Sequence, residues 1–342
     1  MFSDTFKKIL DHTGNPSQVF GAQRMRLCEG KGDGLDVIEI VNGNMLIWLM
    51  PGRCLDIGKV HYNGYNMSFL SKAGFSNAAY YDANGMNGLY TFSPGFLTTC
   101  GLRNSGLPNE HNGESFGFHG RIGQTPAENI SIVRELDRED PTITVRGVTY
   151  EGKLFGSNLA LEREIKFSYG SSSIYINDVI TNYGSRDEPL MLLYHFNMGY
   201  PLLDENAVFV TTHEYERPVD DNAKALEDKK NIFFKASPNV PENCFYYRQQ
   251  TSGGRSYGAC INKELNIGVA VNTDPSELPL FCNWKSWASG DYVMGLEPCN
   301  CHGYGRKEHI ERSEIEILPA YSSKKVGIRV DLLDTETVKK YL

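Results

Sequence analysis

The chain has 342 residues, 40% of them hydrophobic, and a formal net charge of −8 at pH 7. An acidic balance without clustered Lys and Arg excludes a nucleic-acid-binding role. No run approaches 18 apolar residues, which excludes a membrane-spanning helix.

The N-terminal stretch MFSDTFKKILDHTGN carries two lysines but no apolar h-region, so it does not read as a secretory signal. Its pattern predicts a helix over residues 3–12. Strands follow. DVIEIV and NMLIWLM flank Asn42-Gly43, and CLDIGKVHY and YNMSFLS flank Asn63-Gly64, both hairpin signals. NISIVREL and TITVRGVTY meet across DREDP. LALEREIKFSY and SIYINDVITNY meet across Gly170 and serines. In that pair Leu161, Arg163, Ile165 and Phe167 share one face and Glu162, Glu164 and Lys166 the other, the period-two mark of a half-buried strand. NAVFVTTHEY, LNIGVAVNT, SEIEILP and KKVGIRVDLL continue the pattern, and a second helical pattern lies in the last few residues. The expected fold is all-β, a large antiparallel sandwich. No repeat or low-complexity linker divides the chain. One domain over residues 1–342 is therefore expected, in preference to a boundary near 190.

The rhythm breaks between Gly74 and Gly120, a segment rich in Gly, Asn, Ser and aromatic residues. Irregular segments of this length are functional or disordered, and the aromatic content argues against disorder. Aromatic faces with Asn, Asp and Arg suit a sugar, whose C–H faces stack while its hydroxyls need hydrogen-bond partners. A loop merely packed on the sandwich is the alternative.

The eight cysteines are scattered in a chain too long for a disulfide scaffold, so reduced thiols and a cytoplasmic location are expected. Cys299, Cys301 and His302 resemble metal ligands, but no second pair stands at zinc-site spacing. No metal and no cofactor are expected.

Three titratable residues lie beside Gly or Pro at strand ends: His119 in FGFHGRIG, His195 in LLYHFNMGYP and Glu297 in YVMGLEPCNC. A charge in an apolar run is costly unless paired or used, and the surroundings of Glu297 predict a raised pKa. Asn197 follows His195 on the same strand face.

The segments PGRCLDIG, TTCGLRNSG, FHGRIGQTPAENI, LLYHFNMGYPLLDENA and YVMGLEPCNCHGYGR, in this order, resemble the aldose 1-epimerase (galactose mutarotase-like) family. They are nearer to a less characterised branch often labelled a domain of unknown function. The resemblance implies a β-supersandwich and a sugar substrate. It implies that His195 gives a proton to the sugar ring oxygen and that Glu297 takes one from the anomeric hydroxyl. It further implies that His119 binds near the ring oxygen and that Arg103 contacts hydroxyls with Asn104 beside it. Arg53 and Asp56 of PGRCLDIG would belong to the branch's pocket, and Asn197 would hold a hydroxyl or the imidazole. With Glu297 ionising first and His195 losing its proton later, the rate would follow a bell in pH. The Asp-Asn and longer Asn-Arg-Ile motifs of the galactose enzymes are missing, which leaves the sugar open. Other readings are a zinc hydrolase built on two His and one Glu, a Cys100–His119 nucleophile pair, a sugar-binding protein without turnover, and a hexose-6-phosphate epimerase using Arg53, Arg103 and Arg121.

Overall fold

The computed structural model describes residues 2–92 and 95–342. Strand is the dominant regular structure, and the named strand pairings are antiparallel. The antiparallel all-β fold expected from the sequence is present.

The hairpin signals act as anticipated. Tyr62 pairs with Tyr65, leaving Asn63 and Gly64 as the turn with φ of 50° and 83°. Positive φ at both central residues is the turn that matches strand twist. The earlier hairpin is displaced by one residue: Asn42 pairs with Met45, so the turn is Gly43-Asn44. Asn158–Ser168 and Ser173–Asn182 pair across the serine turn. The alternation holds there, with Leu161, Arg163, Ile165 and Phe167 buried. The helix Asp4–His12 forms with Ser3 as its cap, and a short turn Val338–Lys340 ends the chain.

Three main sheets organise the described residues. Phe20–Arg26, Asp36–Asn42, Met45–Met50, Asp56–Tyr62 and Tyr65–Asn66 form a five-stranded meander. An eight-stranded sheet runs from Ala207–Thr211 at one edge to Glu128–Glu135 at the other. A seven-stranded sheet places Asp291–Cys299 and Glu188–Met198 at its centre, with Leu280–Ala288 beside the first and Leu97–Leu102 beside the second. Sequence periodicity gave no warning of Leu97–Leu102, which lies inside the segment from Gly74 to Gly120. Ser93 and Pro94 of that segment lie outside the described residues.

One contiguous apolar cluster runs from Phe6 to Leu332. The strand Glu188–Met198 shows how it is divided from the site. Leu190, Leu192, Tyr194, Phe196 and Met198 belong to that cluster. Met191, Leu193, His195 and Asn197 point to the opposite face of the sheet, since side chains alternate along a strand.

Among the described residues, no helix is long and apolar enough to cross a membrane.

Candidate active site

The second face of the seven-stranded sheet carries a row of side chains that cross-strand register puts side by side. Thr98 pairs with His195. The pairs Phe196–Leu296 and Asn197–Gly295 set His195 opposite Glu297. Glu297 pairs with Cys282, and Cys282 with Tyr246. Residues on one face of neighbouring strands stand within contact distance, so parts of the chain remote in sequence meet in one line.

His195 Nε2 lies 3.3 Å from Glu297 Oε1, and both residues are buried. Gly295, next to Glu297 on the same face, makes room for the carboxylate. A Cβ built there would stand 2.1 Å from Glu297 Oε1. His119 reaches the same place from the loop, its ring centroid 5.7 Å from that of His195. Its backbone holds a left-handed φ of 57°, a cost that persists where the surroundings fix it. Here the N–H of His119 donates to Gly106 O, the N–H of Gly101 donates to His119 O, and the N–H of Gly106 donates to His119 Nδ1. With Nδ1 accepting, the neutral ring keeps its proton on Nε2. Phe92 and Trp284 complete the enclosure, their rings 5.8 and 5.3 Å from His195.

Burial sets the proton inventory. It pushes Glu297 up to about 8. It pulls His195 down to about 3, with His119 adding to the effect, and His119 down to about 4. At neutral pH the pair therefore holds one proton, resting on the carboxyl, beside a neutral imidazole. The raised pKa expected for Glu297 is present. The titration order expected from the sequence is reversed, because both groups are desolvated and desolvation disfavours each charged form.

Several polar atoms here have no hydrogen-bond partner among the described residues: His195 Nδ1, Asn197 Oδ1, Asn283 Oδ1 and Glu297 Oε1. Glu297 Oε1 is close to His195 but not aligned for a bond. Asn197 does not hold the imidazole through its amide nitrogen, which donates to the backbone oxygen of its own neighbour His195 at 2.7 Å. Buried polar groups are ordinarily satisfied, so these four atoms leave hydrogen-bonding capacity unused. A cavity of about 420 Å³ adjoins it, walled by Phe92, Trp284, Phe69 and Leu89 and bearing Glu242 and the Lys72–Asp291 pair.

The remaining sequence candidates sit apart from this pair. Arg53 is buried and donates to the carbonyls of Gly123, Ser76 and Thr91. Asp56 accepts from the N–H and hydroxyl of Thr99 and from Arg163. Asn104 is spent on Gly117 O, Asn109 and the N–H of Arg306. Arg103 pairs with Glu114 and Glu188 and lines a different cavity with Glu151 and Arg121. Each of these four side chains is engaged by protein groups. Cys299 and Cys301 do not gather with His302. Among the described residues, the grouping with three ligand atoms in reach is His302, His309 and Glu314. Both ring nitrogens of His309 are already engaged there, with the N–H of His302 and with Gly305 O.

Sequence reasoning missed Trp284, Phe92, Cys282 and Gly295. Gly295 left a signal, a lone glycine inside an apolar strand pattern, which marks close approach, and Phe92 lies in the aromatic segment from Gly74 to Gly120.

The family model described as Domain of unknown function (DUF4432) matches residues 32–332. No curated protein matches the sequence. Among solved structures, a candidate aldose 1-epimerase from Klebsiella pneumoniae aligns with a TM-score of 0.89 at 24% identity, over 94% of this chain and 85% of that one. A galactose mutarotase-like protein from Clostridium acetobutylicum gives 0.67 at 12% identity, over 93% and 99%. A galactose 1-epimerase from Lactobacillus acidophilus gives 0.57 at 12% identity, over 92% and 98%. These likenesses are likenesses of fold.

Proposed function

This chain belongs to the DUF4432 family, and we propose that, as one domain over residues 1–342, it is an aldose 1-epimerase that interconverts the α and β anomers of a free aldose. The observation that carries the reading is the His195–Glu297 pair at 3.3 Å, with unpartnered polar atoms around it and a cavity beside it.

Anomer exchange opens a hemiacetal and closes it on the other face of the carbonyl. Opening takes one proton from O1 and gives one to the ring oxygen; closing reverses the transfers. One proton shared by an acid and a base is sufficient. Glu297 takes the O1 proton and His195 supplies the ring oxygen, as the resemblance implies. In the empty site the proton rests on Glu297, because burial outweighs the little that favours its carboxylate and Oε1 has no partner. Sugar hydroxyls and the His119 Nε2–H supply those hydrogen bonds on binding. Hydrogen bonds to the charged form favour it, so the proton passes to His195. Asn197 Oδ1 accepts a sugar hydroxyl. Trp284 and Phe92 offer faces to the C–H side of the ring.

A free sugar fits better than a phosphorylated one. Lys72 is neutralised by Asp291, Glu242 adds negative charge to the cavity, and Arg53 and Arg103 are occupied by protein acceptors.

Magnetisation exchange between anomers, measured by NMR across pentoses, hexoses and their 6-phosphates, tests the reading. Exchange should accelerate for a free aldose. The rate should rise through about pH 3, where the doubly protonated pair loses a proton, and fall through about pH 8, where the last one leaves. These limits belong to the pair rather than to either residue. Binding without exchange would make the protein a sugar-binding module, and a strong preference for phosphates would reassign the substrate.

A further inference from the structure

Glu297 has a neighbour on each side. His195 stands on one, and on the other is Cys282, its register partner on Leu280–Ala288. Register puts the Cys282 thiol beside the Glu297 carboxyl, where it favours the charged form against the effect of burial. Cys282 is itself 2.7 Å, sulfur to sulfur, from Cys244 on the next strand, Asn243–Arg248. Cys244 pairs with Trp284 and Tyr246 with Cys282, so the two cysteines are diagonal neighbours on the face that carries Glu297. Cys282 is buried, and Cys244 is half-buried, the more accessible of the two. Closing a bond would bring the sulfurs about 0.7 Å nearer.

We propose that Cys244 and Cys282 form an oxidative modification site whose disulfide removes the thiol donor from Glu297. The oxidant is a small disulfide. The Cys244 thiolate attacks one of its sulfurs and expels one thiolate, leaving a mixed disulfide. The Cys282 thiolate then attacks the Cys244 sulfur and expels the second. Two protein thiols lose two protons and two electrons, and the reagent becomes two thiols. The carboxylate of Glu297 then loses the neighbouring thiol that favoured its charged form, and its pKa rises. The effect on turnover rests on Glu297 acting in the reaction proposed above; the chemistry of the thiols does not.

The Cys282 hydrogen bond pulls the Cys244 thiol down, but burial and the Glu297 carboxylate carry it above the ordinary range; burial raises Cys282. Exchange follows the thiolate fraction, so oxidation should be slow at pH 7 and faster at pH 9.

The test treats the full chain with 2-hydroxyethyl disulfide, then quenches, digests and maps it by mass spectrometry. A Cys244–Cys282 cross-link should form, with a loss of about 2 Da, reversed by dithiothreitol. Cys244→Ser and Cys244→Ala should both abolish it while leaving reduced activity in place. Two readouts follow its effect on Glu297. The side-chain carboxyl ¹³C resonance of Glu297, titrated without any sugar, should move to a pKa higher by about half a unit to one unit on oxidation. Anomer exchange at pH 7 should fall several-fold. A missing cross-link, a cross-link that survives Cys244→Ser, or an unmoved Glu297 titration would overturn the proposal. Absence of anomer exchange in the reduced protein would overturn the sugar reading alone.

Discussion

Tyr194 and His195 are adjacent on one strand and open onto two buried polar clusters of opposite kind. On the core side, Arg163 lies between Asp56 and Asp178, 2.6 and 2.7 Å from their oxygens. The Tyr194 hydroxyl donates to Asp178, and Thr99 donates to Asp56 through both its N–H and its hydroxyl. Arg163 and Asp178 come from the eight-stranded sheet, Tyr194 and Thr99 from the seven-stranded one and Asp56 from the meander, so the cluster ties all three. On the other side, His195, Asn197 and Glu297 are as deeply buried, yet each has an atom without a partner. Burial of charge is thus no guide to function by itself. A cluster closed by its own hydrogen bonds holds the fold, and one left open has bonding capacity that the proposed sugar would take up.

The sharpest way to break this comparison is to remove the centre of the closed cluster. Arg163→Met leaves two carboxylates without their cation, and breaking a buried pair costs about 3–5 kcal/mol. Chemical denaturation should show a loss of that size or failure to fold. A loss below about 1 kcal/mol would mean the cluster is solvated and the contrast false.

Glu297→Gln should do the reverse, lowering anomer exchange by about 10²–10⁴-fold while leaving the fold intact or strengthening it. The sign follows from linkage. The folded pKa of Glu297, about 8, lies above the unfolded carboxyl value. Its contribution to stability is complete below the unfolded pKa and is lost as pH rises through the folded one. The glutamine variant has no such loss, so its melting temperature should gain on wild type between about pH 4.5 and 8. A variant less stable than wild type at pH 8 would place Glu297 with Arg163 among the residues that hold the fold.

Gly295→Ala is the mildest change. Its Cβ would meet Glu297 Oε1 at 2.1 Å, so the carboxylate must swing away from His195. Misplacement near 1 Å costs up to about 10²-fold, and a loss of about 10–100-fold in rate with little change in unfolding is expected. Unchanged exchange would mean that the His195–Glu297 spacing is not needed.

The sequence carried the strand content, most hairpins and the buried face of Leu161 to Phe167, because period-two patterning and Asn-Gly turns are local. It also carried His119, His195 and Glu297, through motifs and their apolar settings, and the structure brings these three together. Leu97–Leu102 escaped because its six residues are buried throughout and show no alternation. Arg53 and Asp56 were singled out by the PGRCLDIG resemblance, and only the fold shows which protein groups they engage. Arg163 shows the same blindness from the other side: it fell on the core face by periodicity, and only the fold supplies Asp56 and Asp178 to explain it. Trp284 and Cys282 were illegible, since their role comes from register with strands far along the chain.

That dependence on register has a consequence for how the protein matures. The hairpin of Asn158–Ser168 with Ser173–Asn182 closes a short loop, whereas Thr98, His195 and Glu297 are joined across loops of about a hundred residues each, the slow class of contact. Each register must be right, since a slip by one residue turns a side chain to the other face. Return of anomer exchange during refolding should therefore trail the recovery of strand signal, making enzymatic rate a clock for the last pairing event.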